Sequence, residues 1–201
     1  MIILCIFVEI IKKSTTMKKL IFTLIVTLIS LVSFSQVEKE VVRLTEVEKE
    51  TFRKINEYRV KNGCRPITWS EEAYRAAYHH SYYLSDPNVN ISHYERQNVD
   101  NIDEINSPGD RISNVLNSPS VYCVENVVTI SASDWWFNRK DLDGKKIDGI
   151  KTISDCILKC WVESSGHKTN MLDKTVDCGA VAIVREKNGD YCRPVMLFFK
   201  K

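Results

Sequence analysis

Two hundred and one residues, 44% apolar and 27% charged, describe an ordinary globular chain with enough length for one domain and accessory segments. The net charge of +2 belongs to the first 35 residues, where Lys12, Lys13, Lys18 and Lys19 stand against Glu9 alone; the remaining 24 basic and 25 acidic residues leave −1. A surface so balanced has no summed potential to attract nucleic acid or an anionic membrane, and neither is expected as a partner.

Lys18 and Lys19 precede the apolar run Leu20–Phe34, which closes on Ser33-Phe34-Ser35, the layout of a secretory signal with cleavage after Ser35. About fifteen residues fall short of the roughly 20 that a helix needs to cross the hydrocarbon core, so removal is favoured over anchoring. No membrane span is then expected in the mature chain. The better-formed signal begins at Met17, which makes Met1 an upstream start, and no cysteine lies near Ser35 to take a lipid. The chain thus divides into an N-terminal extension with its signal (1–35), a charged linker (36–44) and a domain (45–201), secreted or periplasmic after cleavage. Six cysteines follow the signal, and in an exported chain an even count points to disulfides, with 15 possible pairings, or to buried free thiols where the compartment is not strongly oxidising. The Cys156–Cys160 spacing matches no zinc ribbon.

Thr45 and Glu48 stand in capping-box spacing before a stripe of Val47, Phe52, Ile55 and Tyr58, and Gly63 closes the pattern, predicting a helix over 46–62. Ser70, with Glu71 and Glu72 behind it, starts a second helix whose inward face is Ala73, Ala76, Ala77, His80 and Leu84. His80 reads as a hydrogen-bonded core residue and His79 as a surface one. From Asp86 to Pro119 the composition is that of a long loop with at most short helical turns. Tyr122–Ile130 is strand-like. The Asp141, Asp143 and Asp148 group beyond Trp135-Trp136 lacks the ligands of a calcium loop and reads as an exposed turn. Ile153, Cys156, Ile157, Cys160, Trp161 and Ser164 mark a third helix, stopped near Gly166. Two runs that are apolar at every position, Gly179–Val184 and Val195–Phe199, flank an Asn188-Gly189 hairpin signal. Strands greasy on both faces must be covered on both, which predicts a sheet between helical layers.

Polar residues displayed at element edges are His93 in "ISHYE", Glu125 in "YCVENVV" and His167 in "SSGHKTNML". Two imidazoles and a carboxylate suit a divalent ion such as zinc, provided that the distant segments meet at one groove.

The order of these fragments resembles the CAP superfamily of cysteine-rich secretory, antigen 5 and pathogenesis-related proteins, with its bacterial SCP-like secreted relatives. The matching pieces are "INEYRVKNGCRPITWSEEAYRAAYHHSYYL", "ISHYE", "GDRI", "VENVV", "CWVESSGHKTNML" and the closing "DCGAVAIV" and "VMLFF", together spanning about Thr45 to Phe199. The resemblance implies an α+β fold, a three-layer α–β–α sandwich with a mainly antiparallel central sheet. It also implies a cleft where His93, Glu125 and His167 match the family's His/Glu constellation, with Asn126, Glu163, Ser164 and Ser165 lining it. Many relatives add a second glutamate, for which Glu163 is the nearest candidate. Since the bacterial pattern has a serine there, represented by Ser164, a complete tetrad is not expected. Val124 replaces the family's glycine before Glu125, so local remodelling is expected there.

Two functions follow. The first is a secreted, non-catalytic binding or effector module whose cleft takes a divalent metal, zinc among them, a small apolar or lipid-like ligand, or a cell-envelope component. The second is an extracytoplasmic peptidase or esterase with Ser164 or Ser165 as nucleophile, His167 as base and Glu125 as orienter, or with a bound metal. The second lacks both a G-x-S-x-G elbow and an H-E-x-x-H helix.

Overall fold

A computed structural model describes residues 45–86, 88–95, 107–132, 140, 148–185 and 191–201, all within the compact unit Leu44–Lys201. The signal segment 1–35 with its cleavage point, the linker 36–44, Trp135-Trp136, Asp141, Asp143 and the Asn188-Gly189 turn lie outside the described residues.

Among the described residues, five helices and five strands follow in the order α1 (45–61), β1 (Thr68–Trp69), α2 (Glu71–Leu84), α3 (Pro108–Leu116), β2 (Cys123–Val127), β3 (Ile130–Ser131), α4 (Gly149–Glu163), α5 (Ser165–Met171), β4 (Cys178–Arg185) and β5 (Tyr191–Phe199). The sheet runs β1-β4-β5-β2, with β3 also on β5; only β1, beside β4, is parallel to its neighbour. Side chains alternate across a strand, and the two apolar runs divide accordingly. Ala180, Ala182, Val195, Leu197 and Phe199 pack with Ala73, Ala76, Ala77 and Leu84 of α2 and Ile112 of α3. Val181, Ile183, Met196 and Phe198 face the other way, against Val47 and Ile55 of α1, Ile153, Ile157 and Trp161 of α4, and Met171 of α5. This is the α–β–α sandwich that the doubly apolar strands predict.

The alanine face of α2 lets that helix lie close on the sheet, and the helix starts where expected, with Ser70 Oγ accepting from the Ala73 N–H at 3.2 Å. Helix α1 ends at Gly63, whose φ of +72° places it where a Cβ is disfavoured. Two polar residues of α1 hold its far end. Asn56 accepts from the Ile67 N–H and donates to the Ile67 carbonyl, at 2.8 and 2.9 Å. Arg59, 1% exposed, donates to the carbonyls of Arg65, Met171 and Asp173 and so clamps α1 to the end of α5.

Several expectations are corrected. Glu48, read from the sequence only as a capping-box residue, has a tertiary role besides: it is 2% exposed and accepts from the Ile183 N–H of β4 at 2.7 Å. The supposed loop after Asp86 contains α3, a full helix with few apolar residues but a complete start. Ser107 and Asp110 form a capping box, Pro108 occupies the first turn, and Asn117 closes the end in the left-handed region. The break after the third helix falls at Ser164, not Gly166. Ser164 has extended backbone, ends α4 and accepts from the Lys168 N–H as α5 begins. Val124 sits in regular β2 opposite Phe198, with no positive φ, so no remodelling accompanies the lost glycine. Asp148 is no turn residue but the N-cap of α4. No disulfide joins any two of the six cysteines beyond the signal. Cys123 and Cys178, for example, sit level on either side of Phe199, two strand spacings apart and beyond disulfide reach.

Candidate functional site

Strand β2 ends the path β1-β4-β5-β2, and its alternation sends neighbouring residues to opposite faces. Glu125 points to the α2–α3 side and Asn126 to the α5 side, so groups from both helical layers gather around this strand.

On the first side, the Glu125 side chain is 1% exposed and both oxygens are engaged: Oε1 lies 3.0 Å from His93 Nδ1 and Oε2 accepts from Arg111 Nη2 at 2.5 Å. Arg111, also 1% exposed, donates in addition to the His93 carbonyl. Beneath this pair lies a second carboxylate. Glu95 Oε1 is 3.1 Å from His80 Nδ1, 3.2 Å from His79 Nδ1 and 3.6 Å from Arg111 Nη1. The opposite nitrogen of His80 faces the Ser92 carbonyl at 2.8 Å, so this fully buried ring is held on both sides and fixes segment 92–95 against α2. Burial pulls Glu95 upward, but the His80 hydrogen bond and the Arg111 charge outweigh it and leave the carboxyl below its ordinary value.

On the second side, Asn126 donates to the His167 carbonyl at 3.0 Å, and Asn170 donates to the Glu125 carbonyl and to Asn126 Oδ1, both at 3.0 Å. These bonds fasten α5 to β2 and bring the His167 ring to the His93 ring, with centroids 6.4 Å apart and planes at 70°. Burial, then the neighbouring His93, lower the His167 imidazole below its ordinary value, which favours its neutral form at pH 7. A cleft of about 670 Å³ opens beside His93, lined by His93, Tyr94, Gly109, Tyr122, Glu125 and Asn170 among others, while His167 and Asn126 are not part of its lining. A larger groove of about 840 Å³ on α1, with Phe52, Val60 and Trp69 in its floor, holds no imidazole.

The structure therefore brings His93, Glu125 and His167 together and places Asn126 beneath them. Glu163 is elsewhere, exposed and 3.8 Å from Lys159. Ser164 forms the α4–α5 joint and Ser165 begins α5, exposed, with its carbonyl accepting from Thr169; neither serine lines the cleft. Among the described residues no group of three or more His, Cys, Asp or Glu is arranged to hold a metal ion, and at Glu125 one oxygen is taken up by Arg111. Glu95, Arg111 and Asn170 were missed as site residues. Their signals were present: Glu95 follows His93 by two positions, Arg111 stands in "GDRI", and Asn170 is three residues past His167.

A sheet covered by helices on both faces, with two imidazoles and a charge-compensated carboxylate at one terminal strand, defines a class of small α–β–α sandwich domains. The chain belongs to the CAP, or cysteine-rich secretory protein, family, whose model matches residues 52–199. The family is one of extracellular proteins. A crystal structure of an extracellular protein containing an SCP domain from Bacillus anthracis is similar, with a TM-score of 0.52 and 17% identity, over 77% of this chain and 40% of that one. An outer surface protein of Borrelia burgdorferi is similar with a TM-score of 0.51 and 16% identity, over 75% of this chain and 89% of that one. At such identities the likeness shows the fold alone. The chain spans less than half of the Bacillus protein. No curated protein matches the chain. Among the described residues no helix is long and apolar enough to cross a membrane.

Proposed function

We propose that this CAP domain is a non-catalytic extracellular binding module, exported by the signal at 17–35, in which His93 on the cleft wall and His167 facing its ring offer two imidazoles to a divalent transition ion. The observation that carries the reading is the chain Arg111–Glu125–His93. With Nδ1 bonded to Glu125, His93 has Nε2 left for a ligand, and the carboxylate fixes ring and tautomer in the manner of the second shell of a metal site. His167, neutral by virtue of its lowered pKa, faces it. Zinc–imidazole bonds of about 2.0–2.1 Å would set the centres of two rings on one ion about 5–6 Å apart, close to the observed 6.4 Å. Glu125 then acts as orienter, not ligand, and solvent or the captured molecule completes the coordination.

The hydrolase reading draws less support. Glu125 bonds to His93 and leaves His167 without its orienter, and Ser165 is exposed on α5 outside the cleft.

Zinc calorimetry on the purified domain tests the reading. Wild type is expected to bind one ion, and His93→Ala and His167→Ala are each expected to weaken it at least tenfold. Unchanged affinity in both variants would remove the site. Glu125→Gln, which leaves both imidazoles in place, is expected to cost about 10–100-fold, the usual effect of losing an outer-shell partner.

A further inference from the structure

Helix α4 carries Cys156 and Cys160 one turn apart, a spacing that puts their Cβ atoms about 5–6 Å from each other on one face. They lie off the stripe of Ile153, Ile157 and Trp161 that packs on the sheet. Cys156 is exposed and Cys160, one turn on, is half-buried. The other described cysteines differ in kind: Cys64, Cys178 and Cys192 are buried, and Cys123 belongs to β2.

Three uses of such a pair can be weighed. A disulfide within the pair needs Cβ atoms about 3.5–4.5 Å apart, closer than a continuous helix offers at this spacing. Redox or nucleophilic chemistry needs a thiolate, yet burial and the Cys160 thiol raise Cys156 above its ordinary value despite the Lys159 charge. A bridging ion meets neither obstacle. It inserts two metal–sulfur bonds, each about 2.3 Å by the zinc–thiolate standard, between the sulfurs, and it displaces the thiol protons as it binds. Structural zinc asks for four ligands, and among the described residues no third His, Cys, Asp or Glu joins the pair. Soft thiolates with no further ligand select a soft monovalent ion.

We propose that Cys156 and Cys160 form a dithiol site on the outer face of α4 for a thiophilic ion of the copper(I) class. Two S–H bonds are lost and two S–Cu bonds form; two protons leave, no electron is transferred, and the adjacent Lys159 ammonium offsets the negative charge of the bis-thiolate. The site is separate from the His93–His167 cleft and does not depend on that reading.

The test uses the full chain under anaerobic, reducing conditions, titrated with copper(I) held by a chromophoric chelator. Wild type is expected to withdraw one equivalent and to gain a near-ultraviolet thiolate-to-copper band. Cys156→Ser and Cys160→Ser are each expected to lose at least 100-fold in affinity while keeping the helical circular dichroism of wild type. As a measurement on the unaltered protein, phenylarsine oxide should add once per chain with loss of one water, both sulfurs being bound in the peptide that contains residues 156 and 160. The proposal is overturned if wild type fails to compete with the chelator, if both serine variants bind as wild type does, if the arsenical maps to other cysteines, or if the chain is isolated as a dimer cross-linked through Cys156.

Discussion

Arg111 is the residue on which the candidate site turns, because its guanidinium faces both carboxylates of the site, Glu125 at 2.5 Å and Glu95 at 3.6 Å. Removing one partner of a buried ion pair leaves the other charge uncompensated. Arg111→Met is therefore expected to destabilise the domain by about 3–5 kcal/mol in urea unfolding. The double change Arg111→Met with Glu125→Gln should recover part of that loss, since it removes one stranded charge; equal midpoints for the single and double variants would show that the Arg111 side chain matters for packing alone. His80 was legible in the sequence as a buried, bonded histidine, for its place on the alanine stripe of α2 is a matter of helical period. The Glu125–Arg111 pairing was not. Such a partner is chosen by how a loop folds back, and nothing in the spacing of residues 111 and 125 reports it.

Among the elements, β4 and α1 show how closely two layers can be bound. Gly179 lies in β4, and a Cβ added there would stand 2.5 Å from the Leu197 carbonyl oxygen and 2.9 Å from Met196 Cε. The nearer obstacle is backbone of the adjoining strand, which can move only by parting the sheet. Gly179→Ala is expected to cost about 1–3 kcal/mol, read as a lower urea midpoint with unchanged slope. Glu48 ties α1 to the same strand. Burial, opposed only in part by the Ile183 N–H and the Tyr74 hydroxyl, raises its carboxyl from 4.5 to about 7. The folded state thus keeps a proton that the unfolded chain gives up first. The associated stability is fully present below pH 4.5, is lost as pH rises through 7, and amounts to about 3 kcal/mol at 1.36 kcal/mol per pKa unit. Glu48→Gln retains an acceptor for Ile183 and should abolish this component, so the stability difference between variant and wild type should grow in the variant's favour from pH 4 to pH 8. A difference that stays constant would place the Glu48 titration elsewhere.

Element type was legible where the period was strong, as in α1, α2, α4 and the two central strands. Helix α3 was not, because Ile112 is its only fully buried apolar residue and the Asn, Asp, Ser and Pro around it read as loop. Its capping box, Ser107 with Asp110, was the signal available. The joint at Ser164 escaped for a related reason: a glycine two residues later is the stronger helix breaker on paper, yet Gly166 has open space around it and continues α5.

For the molecule as a whole, layer order followed from two strands that are apolar on both faces, since only helices on each side can cover them. Cysteine pairing did not follow from the even count. Without a disulfide, excess reductant is expected to leave the thermal midpoint unchanged, whereas a native disulfide would contribute about 2–4 kcal/mol to be lost. Core packing supplies what a cross-link would: Phe198, Phe199, Trp161, Met196 and Ile157 are all fully buried.

The parallel contact of β1 with β4 joins Thr68 to Cys178, and β2 meets β5 across a shorter but still long stretch, from Cys123 to Phe199, while β4 and β5 are successive strands. Loops this long close slowly. The two central strands follow all five described helices in chain order, so during synthesis α1 and α2 emerge with their apolar stripes uncovered and wait for the platform on which they will lie. Folding before the last strand is available therefore gains little.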